Sequence, residues 1–485
     1  MQRFDLLVIG GGINGAGIAR DAAGRGLSVL LVEKDDLASA TSSASSKLIH
    51  GGLRYLEQYE FRLVAEALAE REVLLATARH LVWPARFIMP HVPELRPRWM
   101  IRAGLFLYDH LSRRASLPGS HAVRLDAPPF NSGLAPHLTH GFAYSDCRVD
   151  DARLVVANAM SARELGARIL TRTECVSGRR ESGTWRIRLS SAEEIEAKAV
   201  VNAAGPWVKR VLNERLGQPS RDAVRLVKGS HIVLPRLYVG EHAFILQNDD
   251  RRVVFMIPYG ERYTLVGTTD VAVEGDSPPE ASDAEAEYLC RAISRYLAKP
   301  ARPEQALWRY AGVRPLYDDG SADPSAVTRD YTLRVDDAEG RAPVLSVFGG
   351  KITTYRRLAE HALEKLAPYF PGLKPAWTAK RALCGSDFGA ASRDAARDAF
   401  FAAHPRLPAE TLRAIFRRHG TLAGDVVGDG DLGEHYGAGL HEREVRYLAE
   451  REWAKTAEDV LWRRTKTGLQ MSPAQRARVA AVLGA

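Results

Sequence analysis

The chain lacks the features that define several protein classes. Its 485 residues contain four cysteines, Cys147, Cys175, Cys290 and Cys384, too widely scattered for CxxC or any other metal-ligand spacing. This excludes a disulfide scaffold and predicts buried free thiols in a reducing compartment. No stretch approaches the roughly 18 consecutive apolar residues of a membrane span. Met1-Gln2-Arg3 leads straight into an apolar segment without the layout of a secretory signal, so a cytoplasmic protein is expected. Lysine is scarce, 12 of the 67 basic residues, which leaves 55 arginines. Codon bias explains most of that skew, but it makes a lysine inside a motif more telling. No recognition motif or basic-aromatic tract points to nucleic acid.

The composition is otherwise that of a globular protein, 46% hydrophobic and 26% charged, which excludes disorder and collagen. At roughly 100–200 residues per domain, about three domains are expected. The net charge of +8 asks for an acidic partner, with an anionic membrane and a phosphorylated ligand both open.

Residues 4–9 read as a buried strand that runs into Gly10-Gly11-Gly12-Ile13-Asn14-Gly15, a GxGxxG turn. A helix to Gly24-Arg25-Gly26 and a second strand, Ser28–Val32, follow, ending at Glu33. Strand, turn, helix and strand in register, with an acid at the second strand's end, predict a dinucleotide site. Gly10 permits the tight turn, Gly12 lets backbone approach a pyrophosphate, and Gly15 lets helix pack on strand. Glu33 is placed to accept hydrogen bonds from a ribose, and the helix N-terminus faces the phosphates. Thr41-Ser42-Ser43-Ala44-Ser45-Ser46-Lys47-Leu48-Ile49-His50-Gly51-Gly52-Leu53-Arg54-Tyr55 is a small, hydroxyl-rich loop able to wrap a long cofactor.

At these residues the sequence resembles the FAD-dependent glycerol-3-phosphate dehydrogenases, the bacterial aerobic respiratory group in particular. GGGINGAGIARDAAGRGLSVLLVE, ATSSASSKLIHGGLRYLE and FGGKITTYRRLAE carry the likeness, which extends along nearly the whole chain. The resemblance implies FAD as cofactor and sn-glycerol 3-phosphate as substrate, oxidised to dihydroxyacetone phosphate by hydride transfer. It also implies a membrane quinone as electron acceptor and a homodimer, although no residue pattern reads as a quinone pocket. It implies cofactor contacts from Gly10, Gly12, Asn14, Gly15, Glu33, Thr41, Ser42, Ser45, Ser46, Lys47, Leu48 and His50. Val176, as a backbone contact to adenine, Ala204, Gly205, Trp207, Gly350, Lys351, Ile352 and Thr353 complete that set.

Phosphate calls for arginine forks. Arg54, Arg314, Arg329 and Lys351 are therefore assigned jointly to phosphate binding and charge stabilisation, with Tyr55 beside them. A base must take the hydroxyl proton. His231 and His50 are the histidines in motif settings, with His231 preferred on the substrate side and His50 nearer the cofactor. Each has a plain alternative as a structural histidine bonded to backbone or flavin. Two other functions stay open: a soluble glycerophosphate oxidase using oxygen, and a non-catalytic FAD-binding scaffold.

The expected fold is α/β. A Rossmann-type FAD-binding domain (1–80, 145–225 and 340–383) is joined by an antiparallel-sheet substrate domain (81–144 and 226–339). An all-helical C-terminal cap (384–485) follows, with no catalytic pattern. A helix is expected over 60–81, then a proline-broken segment to Pro97 and an apolar stretch at 98–111. If that stretch is helical, Arg98, Arg102, Asp109 and Arg113 share one narrow stripe, as in a core helix with one wet edge or an in-plane membrane helix. Between Arg79 and Arg124 stand eight arginines against Glu94 and Asp109, whereas residues 385–485 are nearly neutral. That clustering favours a membrane-surface patch and residence on the cytoplasmic face of the inner membrane, or else in the cytoplasm.

Overall fold

A computed structural model describes residues 1–92, 94–220, 222, 224–250, 252–275, 278–318 and 330–484. Strand Gln2–Ile9 is central to the first sheet, parallel to Val29–Val32 on one side and to Glu194–Asn202 on the other. Arg168–Leu170 and Arg341–Phe348 extend the parallel set outwards, and Thr332–Ala338 closes one edge antiparallel. Parallel strands need covered faces, so they read as near-continuous apolar runs; Leu6, Leu7, Val8, Leu30 and Leu31 are all fully buried. Helices Ile13–Gly24, Asp151–Glu164 and Tyr355–Leu366 pack over one face. Thr332–Ala338, placed by the sequence reading in the substrate region, belongs to this sheet.

The second sheet runs Val271–Val273, Val224–Pro235, Tyr263–Gly267, Val253–Tyr259, Ala243–Gln247, Val82–Pro90, His140–Val149 and Leu48–Ile49. Its pairs are antiparallel apart from a short parallel contact between 243–247 and 82–90. Trp308–Tyr317 pairs along Val224–Pro235 as well. Both faces are buried, and alternate residues enter separate cores. Ile88, Ile232 and Phe244 pack towards helix Asp283–Ser294, while Phe87, Val233 and Ile245 pack on the other side with Leu68 and Leu105.

The segment expected to be broken at 83–97 is instead strand Val82–Pro90 followed by a short connection. Its prolines are tolerated because only Phe87 and Ile88 pair on the 243–247 side. The amphipathic helix ends at Thr77. The cap has its own core of Leu412, Ile415, Val426, Val445, Leu448 and Val460; it is helical apart from a small hairpin, His435–Gly437 with Leu440–His441.

The apolar stretch forms helix Arg98–His110. Ile101, Leu105 and Tyr108 enter the core, while Trp99 is 70% and Phe106 61% exposed, with Met100 and Leu107 beside them. The charge around it is smaller than the sequence count suggested. Arg79 bonds cap carbonyls, and Arg96, Arg114 and Arg124 pair with Glu57, Asp109 and Asp126. Arg98, Arg102 and Arg113 remain as the exposed set without an ion pair among the described residues.

Candidate active site

The glycine turn after the first strand has the geometry its sequence predicts. Gly10 sits at φ +111°, and a Cβ there would lie 2.5 Å from the Ala203 carbonyl oxygen. At Gly15 a Cβ would lie 1.9 Å from the Gly10 carbonyl oxygen, so helix and strand meet only without side chains. Gly15 therefore shapes the turn from behind and does not line the cavity.

An elongated cavity of about 610 Å³ runs from this turn. At one end lie Glu33, Lys34, Thr173, Glu174, Cys175 and Arg215; at the other lie His50, Arg54, Tyr55, Phe255, His231, Arg314 and Lys351. Glu33 accepts the Gly11 N–H at 2.6 Å and the Asp35 N–H at 2.8 Å, and burial pushes its carboxyl pKa up. Each carboxylate oxygen keeps a second lone pair, so a ribose hydroxyl can still donate to it. Val176, expected at the adenine, lies outside the lining, whereas Thr173, Glu174 and Cys175 just before it line the cavity.

The hydroxyl loop is held from several sides. Ser42 Oγ accepts the Ile13 N–H at 3.0 Å, Thr41 Oγ1 donates to the Val313 carbonyl at 2.6 Å, and Ser45 Oγ donates to Asp151 at 2.7 Å. Lys47 does not face the cavity as expected. Its φ is +58°, and its buried ammonium points behind the loop to Asp151 and the Ser43 carbonyl at 2.8 and 2.9 Å. A lone cation in that protein interior needs the carboxylate, which overrides a direct cofactor contact. Leu48, Ala204, Gly205, Trp207, Gly350, Ile352 and Thr353 do line the cavity, and Lys34 sits 4.4 Å over the Trp207 ring.

At the far end, His231 and Ser46 share a 2.9 Å hydrogen bond between Nε2 and Oγ. The His231 ring stacks on Tyr310 at 4.8 Å, and its buried Nδ1 has no partner. Burial first, then Lys47 and Arg314, hold its pKa well below the ordinary value, so the imidazole is neutral near pH 7. His50 is also pushed down, by burial and by Lys351 against an opposing Asp146. Arg314 is anchored by Asp270 and by Thr268 Oγ1 at 3.0 Å. Gly229 makes room for it, since a Cβ there would lie 2.3 Å from the guanidinium. Lys351 lies 4.0 Å over the Tyr55 ring. Arg329 lies outside the described residues.

The residues present fit a flavin dinucleotide. The glycine cradle leaves backbone exposed for a pyrophosphate, and Asn14, donating to the Gly349 carbonyl at 3.3 Å, keeps a buried, unpartnered Oδ1. That acceptor awaits a donor at the Gly349-Gly350 turn. Asp270, Thr268, Phe255 and Arg215 were not legible in the sequence. They come to the cavity from separate strands and turns, with no local motif.

Comparison with known proteins gives a consistent result. The FAD-dependent oxidoreductase family model matches residues 5–356, and the model for the C-terminal domain of alpha-glycerophosphate oxidase matches 376–484. A glycerol-3-phosphate dehydrogenase of Pseudomonas aeruginosa is 55% identical, over 98% of this chain and 94% of its own length. An aerobic glycerol-3-phosphate dehydrogenase of Escherichia coli is 52% identical, over 99% and 97%. A D-erythritol 1-phosphate dehydrogenase of Brucella abortus is 50% identical, over 98% and 97%. Among solved structures, a glycerol-3-phosphate dehydrogenase from Bacillus halodurans complexed with FAD superposes with a TM-score of 0.73 at 25% identity, covering 99% of this chain and 94% of that one.

Proposed function

The chain belongs to the FAD-dependent oxidoreductase family, and from that premise we propose that it oxidises sn-glycerol 3-phosphate to dihydroxyacetone phosphate, with FAD as cofactor. FAD supplies the hydride acceptor for the alcohol carbon. The observation that carries the reading is the convergence of Arg54, Arg314 and Lys351 with a neutral His231 at one end of the cofactor-shaped cavity. The cations match a phosphate dianion, which guanidinium groups engage bidentately. His231 takes the hydroxyl proton. A bound dianion beside Arg314 offsets part of the positive field on His231 and so raises its proton affinity when it is needed.

The relative named for D-erythritol 1-phosphate favours a second reading, a longer polyol phosphate with the same phosphate-and-alcohol pattern. Anaerobic titration decides between them. Glycerol 3-phosphate bleaches the yellow protein, and D-erythritol 1-phosphate does so more slowly; the reverse order would give the longer substrate. A protein that neither compound bleaches would be a scaffold and not an enzyme.

Electrons then pass to a membrane quinone, a reading supported by the word aerobic in the relative's name and by helix Arg98–His110. No helix among the described residues is long and apolar enough to cross a membrane. The exposed Trp99, Met100, Phe106 and Leu107 suit burial at a lipid interface, with Arg98, Arg102 and Arg113 meeting anionic headgroups. Peroxide release without quinone reduction would favour the oxidase instead.

A further inference from the structure

The cap carries no cavity-lining residue of the active site, yet one of its segments reaches behind three of the loops that line it. Asp459–Arg464 forms a helical turn, and Lys466 follows at φ +58°. Arg464 grips Asp36 with two hydrogen bonds, 2.6 and 2.7 Å, and Arg463 adds a third at 2.6 Å. Asp36 is buried, three residues beyond Glu33, on a loop tied to the glycine turn through the Ala38 N–H and the Gly11 carbonyl. Asp459 holds Arg172 at 2.7 Å, on the turn that continues into the lining residues Thr173–Cys175. Lys466 pairs with Asp150 and, at 3.4 Å, with Asp151. Asp151 in turn holds Lys47 and Ser45 of the hydroxyl loop.

Four of these ions are almost wholly buried: Asp36, Asp151, Asp459 and Arg464 expose 1% or less of their side chains. Buried ion pairs are a poor way to gain stability, because the desolvation of each charge cancels most of the attraction. A well-packed apolar seam would hold a cap at least as firmly. Charge pairs do fix direction and register, since a carboxylate gripped by a guanidinium fork has one orientation. Here the fixed objects are the loops at the ribose end, the turn at 171–175 and the hydroxyl loop beneath the reactive end.

We propose that the cap segment Asp459–Lys466 is a positioning device for the cofactor, holding the loops 33–39, 43–47 and 171–175 in the form that retains FAD. This rests on the reading of the cavity as an FAD site. FAD leaves when the segment lets go, so the tightness of the cofactor depends on residues that do not touch it. Lys466 and Asp36 are the positioning residues of the two ends.

The test uses full-length holoenzyme variants Lys466→Met and Asp36→Asn, with Lys466→Arg as the conservative exchange. Glu458→Gln serves as control, because Glu458 is 69% exposed and pairs with Arg463 through Nη1, not through the Nε that reaches Asp36. FAD release is followed by flavin fluorescence after dilution, and FAD affinity by reconstituting the stripped protein. Lys466→Met and Asp36→Asn should release FAD at least tenfold faster than wild type, with added FAD recovering turnover. Lys466→Arg should restore most of the retention, and Glu458→Gln should leave it unchanged. Removing one partner of a buried pair lowers the melting temperature of the stripped protein whatever its role, so the comparison is with a cap-core variant of similar destabilisation, Leu412→Ala. A merely structural role gives all of them the same FAD release, whereas positioning predicts faster release in Lys466→Met and Asp36→Asn alone. Wild-type release rates in both variants would overturn the proposal, as would equal FAD loss in Glu458→Gln. Wild-type protein that binds no FAD would overturn the functional reading and this inference together.

Discussion

His231 combines two properties that a proton acceptor for an alcohol needs: a neutral ring and a nitrogen not already committed. Burial with Lys47 and Arg314 keeps the ring unprotonated, and Nε2 meets only the hydroxyl of the cavity-lining Ser46, a partner that can give way to, or relay a proton from, an alcohol. His231→Asn should therefore slow the anaerobic reduction of enzyme-bound FAD by about 10²–10⁴-fold, the usual worth of a positioned base. Unchanged rapid-mixing kinetics would transfer the role to His50. The sign of the pH dependence follows from the lowered pKa. The active form is the deprotonated one, so kcat/KM should hold as pH falls past the ordinary 6.5 and decline only below it. Lys47→Met, by removing one of the charges that depress His231, should move that acid limb upward. The histidine itself was legible in the sequence as part of Gly229-Ser230-His231. Its environment was not, because Lys47 reaches it from one distant part of the chain and Tyr310 and Arg314 from another, strand Trp308–Tyr317.

At the scale of elements, helix Arg98–His110 is both a core helix and an exposed apolar one, on opposite faces. Tertiary packing chose Ile101, Leu105 and Tyr108 for the inside and left Trp99 and Phe106 outside, a division that periodicity alone could not assign because both faces are apolar. Three arginines near an anionic surface are worth about 1 kcal/mol each. Neutralising Arg98, Arg102 and Arg113 together should weaken binding to anionic vesicles by roughly a hundredfold. Cosedimentation at wild-type levels would remove the helix as a lipid contact. Strand Val82–Pro90 carries the complementary lesson. Two prolines argued against a strand, yet they fall outside the two-residue stretch that is paired on both sides, so the ladder loses nothing essential.

Across the whole molecule, buried charge also holds the cap together from within, and that cluster has a pH signature. Glu444, fully buried, takes two hydrogen bonds from Arg418, at 2.6 and 2.5 Å, and one of 2.8 Å from His419, and its pKa lies at about 2 against an ordinary 4.5. A depressed carboxyl stabilises the fold fully above its unfolded pKa and loses that contribution as pH falls towards the folded one. Cap stability should therefore fall between about pH 4.5 and 2. Glu444→Gln should cost about 3–5 kcal/mol at pH 7 by stranding Arg418, and it should flatten that acid decline in thermal unfolding. The sequence by itself determined the nucleotide turn, since a strand, three spaced glycines, a helix and a terminal acid permit one local geometry. It also singled out Arg54, Arg314 and Lys351 in their motifs, three cations that the fold brings to one cavity. Only the tertiary structure decided that Asp270 anchors Arg314, that Lys47 stands behind its loop, and that the cap's charges meet the cofactor loops. Those are pairings between residues more than forty positions apart, and a charge's partner is fixed by where the chain is folded, not by its neighbours in sequence.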